Sequence, residues 1–201
     1  MIGLMIIGAF LLYLLVSLGV VLAARNWARR TGRSPTRWGW TAAIGMYLLV
    51  FWDWIPTVLA HKYYCATQAG FFVYKTLEQW KQENPGVAHT LSKYGDGRSY
   101  DVTPTEIVFP LNQRISWHHK VSKVFLEVGR YEDVLYDDMT GERLATKVDF
   151  ESGRCSGAPK SLKDFRFWIV NCGCAQEKFR TTQGLAFITL KQQYQNAGET
   201  K

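Results

Sequence analysis

Two long apolar runs, a polar interruption between them and a later change of period define this chain. Residues 2–24 hold no charge, and residues 38–60 hold one, Asp53. As helices rising about 1.5 Å per residue, both runs are long enough to cross a hydrocarbon core of about 30 Å. The pattern predicts a transmembrane hairpin over residues 1–60, with spans 2–24 and 38–60 joined by a loop over 25–37. A secretory signal peptide is the competing reading of the first run. It fits poorly, because no basic stretch precedes the apolar residues and the arginines follow them.

Beyond residue 60 the apolar positions are spaced for a helix. Ala69, Val73, Leu77 and Trp80 form one stripe, and Asn84-Pro85-Gly86 ends it, which predicts a helix over about 62–83. From about residue 99 the period becomes two. Val124, Leu126 and Val128 alternate with Lys123, Phe125 and Glu127, while Leu144, Thr146, Val148 and Phe150 alternate with polar or small neighbours. Asp137-Asp138-Met139-Thr140-Gly141 supplies turn chemistry with a glycine suited to positive φ, so residues 132–150 read as a β-hairpin. Residues 100–102, 106–109 and 165–170 are further strand candidates, 95–98 and 152–161 read as loops, and the tail from Gln195 is expected to fray. The fold class expected is a membrane protein: two N-terminal transmembrane α-helices, then a small α+β domain with a mainly antiparallel sheet over 61–201.

Charge orients this arrangement. The loop carries Arg25, Arg29, Arg30, Arg33 and Arg37 and no acid, and basic residues this close to a span mark the cytoplasmic side. Both termini then face outward. The sequence predicts a multi-pass protein of the bacterial inner membrane, with N- and C-termini and residues 61–201 in the periplasm. Trp38 and Trp40 at the inner end, with Trp52, Trp54, Tyr63 and Tyr64 at the outer end, read as aromatic belts. The net charge of +7 owes five cations to the loop, so the high pI is largely a topology signal, and nucleic acid is not an expected partner. The lipid bilayer and a protein of the envelope are.

Four cysteines, Cys65, Cys155, Cys172 and Cys174, fall in the exported part. In an oxidising compartment an even count reads as disulfides. If Cys172 and Cys174 lie two apart on a strand, both thiols point to one face. The pairing expected joins Cys155 to one of them and Cys65 to the other, provided the first helix packs on the sheet. The alternative makes Cys172 and Cys174 a thiol-redox or soft-metal pair, with His118 and His119 as further ligands.

Asp53 is the one ionisable group inside a span. Its position near the outward end, with Pro56 following, reads as an interfacial carboxylate that reaches water or pairs with His61 or Lys62. Glu132, Asp133, Asp137 and Asp138 read as the solvated face of the hairpin. No glycine-rich nucleotide loop, Gly-x-Ser-x-Gly or His-Glu-x-x-His occurs, and no cofactor is expected. The expected role is non-catalytic: a periplasmic binding domain acting as accessory or assembly factor of an envelope complex or mobile element. Phe71, Phe72, Tyr74, Trp117, Phe167 and Trp168 are the aromatic anchors such a role would use.

Overall fold

The computed structural model describes residues 2–94, 98–153, 155, 166–174 and 177–199. It forms two compact units, Met1–Ile55 and Pro56–Lys201. The first is built from α1 (Ile2–Arg30) and α2 (Pro35–Phe51). Over Ile7–Arg30, α1 is long and apolar enough to cross a membrane, and leucines such as Leu12 and Leu15 stand exposed along it. Gly32, at φ +69°, ends α1 in a left-handed cap. The amides of Gly32 and Arg33 return to the carbonyls of Arg29 and Ala28 at 3.4 and 2.8 Å, the two bonds that close an overrun helix end. Pro35 then opens α2 where a missing N–H costs nothing. The two helices run antiparallel: Phe10 meets Phe51, the Tyr13 hydroxyl donates to the Met46 carbonyl, and Trp27 meets Trp38 edge-on at 5.0 Å.

The predicted loop is therefore much shorter than 25–37. Arg25, Arg29 and Arg30 ride on the end of α1, Arg33 lies in the turn, and Arg37 falls in the first turn of α2. The second predicted span, 38–60, is not one helix. The helix breaks after Phe51, and α3 (Trp54–Thr67) starts anew beyond it. Pro56 explains the break, because its ring would clash with the carbonyl of Trp52 in a continuous helix, whereas the first turn of a new one tolerates it. With 17 residues, α2 alone rises only about 26 Å.

The second unit holds a six-stranded antiparallel sheet in the order β1-β6-β5-β4-β3-β2. Its strands are β1 (Gly70–Val73), β2 (Tyr100–Thr103), β3 (Glu106–Pro110), β4 (Ile115–Phe125), β5 (Val128–Asp137) and β6 (Glu142–Ser152). Strands β2 to β6 form a continuous meander, and β1 joins its far edge, Gly70 opposite Val148 and Val73 opposite Ala145. The helices are α3, α4 (Leu77–Glu83) and α5 (Glu177–Gln195). Phe187, Leu190 and Tyr194 recur on one face of α5 and pack with Trp80 of α4 and with Ile115, Leu135 and Ala145 of the sheet. A second cluster joins Val128, Val148, Phe150 and Cys174 to Ala60, Tyr64 and Cys65 of α3, with Tyr64 stacked on Phe150 at 5.3 Å.

A polar anchor crosses the first core. Asp137, 1% exposed, accepts the indole N–H of Trp80 at 2.9 Å and Nε of Arg114 at 2.9 and 3.0 Å. Arg114 also donates to Asn84 at the end of α4 and lies over the Trp80 ring. Burial alone would raise the Asp137 carboxyl, but donation from Arg114, Trp80 and the Met139 amide outweighs it and holds the group below the usual carboxylate range.

Several sequence expectations change here. The helix predicted over 62–83 is α3, then β1, then α4: Gly70-Phe71-Phe72-Val73 is a strand, and Thr76 with Gln79 forms a capping box that starts α4 afresh. The alternation through 124–128 is interrupted at Leu126, whose φ of +42° turns β4 into β5. Residues 167–169 form a short 3-10 turn where a strand was predicted. α5 was not foreseen, and the expected frayed tail packs inward, with Ala197 buried. The hairpin predicted over 132–150 is present as β5 and β6, closed by the Gly141 amide on the Asp137 carbonyl at 2.7 Å. Asp137, expected to be solvated there, is instead a buried anchor. Most of the loops predicted at 95–98 and 152–161 lie outside the described residues.

Candidate functional site

Among the described residues, one group of side chains able to hold a metal ion converges where α3 meets the sheet. His61 and Cys65 are one helical turn apart and so share a face of α3. Cys174 comes from the segment after Asn171, where Gly173 at φ +92° turns the backbone through a region that a side chain would strain. The Cys174 amide donates to Asp149 at 2.8 Å, which fixes the approach. Cys65 and Cys174 are joined as a disulfide, and Cys155 and Cys172 as a second. The cysteines thus pair in the arrangement the preferred sequence reading named, although Cys172 and Cys174 sit in a bend and not on a strand.

His61 completes the centre. Its ring is buried and its Nε2 lies 3.0 Å from the Phe150 carbonyl oxygen. A carbonyl only accepts, so Nε2 carries the hydrogen, and in the neutral ring Nδ1 carries the lone pair. Cys65 Sγ lies 3.6 Å from Nε2 and 3.9 Å from Nδ1. The potential ligand atoms of His61, Cys65 and Cys174 all fall within 4.8 Å of one another. His61 entered the sequence reading only as a partner for Asp53. Its His-x-x-x-Cys spacing on a helix was the available signal.

The other predicted ligands are engaged elsewhere. His118 lies on β4 between Glu106 (2.8 Å to Nδ1) and Ser116 (3.0 Å to Nε2), and Ser116 Oγ donates to Asp138 at 2.5 Å. An acid, a histidine and a serine are therefore aligned. Ser116, however, is 1% exposed and gives its proton to Asp138, so the hydroxyl is held as a structural donor in a strand-to-turn network. The His118 bond, foremost, and Lys120 hold the Glu106 carboxyl below its ordinary range. Asp53 is buried. In the helical hairpin, Arg25 lies against Gly39, where an added Cβ would fall 2.8 Å from its Cγ, and it lines a cleft of about 300 Å³ with Val21, Thr36, Trp40 and Ala43.

His119 faces the other side of the sheet and bonds Asp133 through Nδ1 at 2.8 Å, where Trp117 Nε1 and Lys147 also donate. The bond to Asp133 raises the His119 pKa against the opposing effect of burial. Burial pushes Asp133 upward, but His119, Lys147 and Trp117 outweigh it and the carboxyl sits low. A raised histidine contributes stability that is present below about pH 6.5 and lost as pH rises through its folded value; a lowered carboxyl contributes above about pH 3.9 and loses it in acid. The pair therefore works best between roughly pH 4 and 6.5. In His119→Gln, the deficit in urea midpoint against the parent is expected to be largest near pH 5.5 and to shrink by pH 8.5. An equal deficit at both would remove the ion pair from the account.

No known protein family, curated protein or solved structure matches this chain. Functional inference rests on its own residues.

Proposed function

We propose that the chain is a multi-pass protein of a bacterial inner membrane whose residues 61–201 stand in the periplasm as a binding domain. In this reading the helical segments anchor it in the bilayer, the arginines mark the cytoplasmic turn, and both termini are periplasmic. Its role is non-catalytic, as accessory or assembly factor of an envelope complex or mobile element. The observation that carries the reading is that all four cysteines are joined in two disulfides within the second unit, a state that persists in oxidising compartments, while α1 supplies a membrane-length apolar helix.

The aromatic anchors divide by position. Phe71 packs against Phe187, and Trp117 stacks on Phe109 at 4.3 Å. Both are spent on the domain itself, and the Phe167 side chain lies outside the described residues. Phe72 and Tyr74 are 50% and 58% exposed on and beside β1, an edge strand of the sheet. An edge strand flanked by exposed aromatics is a surface on which a partner strand or loop docks. The test is a photo-crosslinking residue at position 72 or 74 in intact cells, followed by protease added outside the inner membrane. A discrete adduct that the protease digests is the expected result, together with at least a tenfold loss of that adduct in Phe72→Ser/Tyr74→Ser probed from a neighbouring position. No adduct at either position overturns the binding role, and a protected adduct overturns the exported placement.

A further inference from the structure

We infer that His61, Cys65 and Cys174 form a redox-gated binding site for one soft d10 cation of the Zn²⁺ or Cu⁺ class, closed while the disulfide is intact. The inference goes beyond the partner-binding reading and does not use the β1 surface.

The geometry argues for it first. In tetrahedral coordination with metal–sulfur and metal–nitrogen bonds of about 2.3 and 2.1 Å, a thiolate and an imidazole nitrogen sit about 3.6 Å apart, and two thiolates about 3.8 Å apart. Cys65 Sγ already stands 3.9 Å from His61 Nδ1, the nitrogen that does not face Phe150. A disulfide of ordinary length, about 2.05 Å, has to open to that thiolate spacing before the sulfurs can share an ion. The ligand set is otherwise assembled: Cys65 and His61 on one helical turn, and Cys174 pinned through its amide to Asp149.

The surroundings argue for it next. Metal-binding histidines characteristically donate their other ring N–H to a carbonyl or carboxylate, which fixes the tautomer. Here the Phe150 carbonyl performs that task, leaving the Nδ1 lone pair for the cation. Val128, Val148, Phe150 and Tyr64 give the centre an apolar wall. His61 and Cys174 are buried while Cys65 is only half-buried, so reagents reach the disulfide from the Cys65 side. Two sulfurs and one imidazole leave a fourth position open, the pattern of sites that hold a water or pass an ion on.

The gating step balances with an external dithiol as reductant. One thiolate of the donor attacks a sulfur of Cys65–Cys174 and forms a mixed disulfide, breaking the protein S–S bond. The second donor thiolate displaces the remaining cysteine. The donor leaves as a disulfide, two electrons pass to the protein sulfurs, and two protons are taken up. Those protons are released again when the cysteines ligate the cation as thiolates.

The experiment uses the full chain in detergent, held anaerobically and titrated with Co²⁺ as a spectroscopic stand-in for Zn²⁺. The oxidised protein is expected to show no thiolate-to-cobalt band; after reduction by a dithiol it binds one equivalent, and Zn²⁺ displaces it. Cys65→Ser and Cys174→Ser abolish the band, Cys155→Ser/Cys172→Ser retains it, and His61→Gln, which can still donate to Phe150, weakens binding at least about tenfold. Thiol trapping at fixed redox buffer supplies a second readout. Each tenfold rise in free Zn²⁺ above the dissociation constant should raise the apparent potential of the Cys65–Cys174 couple by about 30 mV, and Zn²⁺ should preserve the circular dichroism of the reduced protein. The inference is overturned by a band that survives Cys65→Ser or depends on Cys155 and Cys172, by no cobalt uptake after reduction, by a potential indifferent to Zn²⁺, or by a reduced protein that unfolds as readily with Zn²⁺ as without it.

Discussion

Replacing Asp137 with Ala is expected to destabilise the second unit by about 3–5 kcal/mol, the cost of stranding one member of a buried ion pair. The effect is large because this carboxylate has three clients. Trp80 uses it to hold α4 to the sheet, Arg114 to neutralise a guanidinium that is itself 13% exposed, and the Met139 amide to form the turn after β5. Without it, the indole N–H and the guanidinium are left in a core formed by Tyr194, Leu135 and Ile115. Urea unfolding of the detergent-solubilised chain measures the loss, with Asp101→Asn on the exposed β2 strand as a control within about 0.5 kcal/mol of the parent. Because the folded carboxyl titrates low, this contribution is present above about pH 4 and disappears as the solution is acidified through the folded value. A deficit in the alanine variant that persists unchanged at pH 2.5 would contradict the assignment.

The second large effect separates the two disulfides. Cys65–Cys174 spans 109 positions and Cys155–Cys172 spans 17. Loop-closure entropy in the unfolded chain assigns about 4.7 kcal/mol to a ring near the first size and about 3 kcal/mol to one near the second. Cys65→Ala/Cys174→Ala is therefore expected to lose more unfolding free energy in urea than Cys155→Ala/Cys172→Ala, by about 1.5 kcal/mol. The reverse order would mean that the long bridge closes a ring already held compact in the unfolded state.

The parts of this fold that could be read in advance are those whose signals are local. The hairpin of β5 and β6 shows a strict alternation and an Asp-Asp-Met-Thr-Gly turn within one window of sequence. The turn from β4 to β5 does not: Leu126 takes positive φ with no glycine or asparagine to announce it, so the alternation runs on through it. β1 was hidden because Val73, Leu77 and Trp80 keep a helical spacing by coincidence, while the contrary evidence, Thr76 with Gln79 as a capping box, is a pair of residues. In α5, Gly184 and Thr181-Thr182 lower the helical propensity, although Phe187, Leu190 and Tyr194 carry the correct period. The break after Phe51 follows from Pro56, which the sequence displayed and the apolar count overrode.

The candidate site was legible in its cysteines and not in its histidine. An even number of thiols beyond an apolar anchor predicts bridges by chemistry alone. What makes His61 noteworthy is a carbonyl 89 positions away, and such a partner exists only once the sheet is built. The same holds for Asp137: four acids near a turn normally solvate it, and only the indole of Trp80, 57 positions upstream, turns one of them inward. Long-range polar pairs are consequences of topology, and a reading that proceeds along the chain meets each partner separately.

The bridge from Cys65 to Cys174 also decides how the molecule carries tension. α3 leads from the N-terminal helices into the second unit, and its last turn is welded to the chain beyond the sheet. A pull applied between the N-terminal helices and the C-terminal helix passes from residue 65 to residue 174 through that covalent link. The whole sheet, β1 to β6, lies inside the ring it closes and hangs slack beside the load path. Strands whose hydrogen bonds would otherwise be sheared or unzipped one at a time are relieved of force, and tension along the chain would stretch helices while leaving the β1 edge in shape.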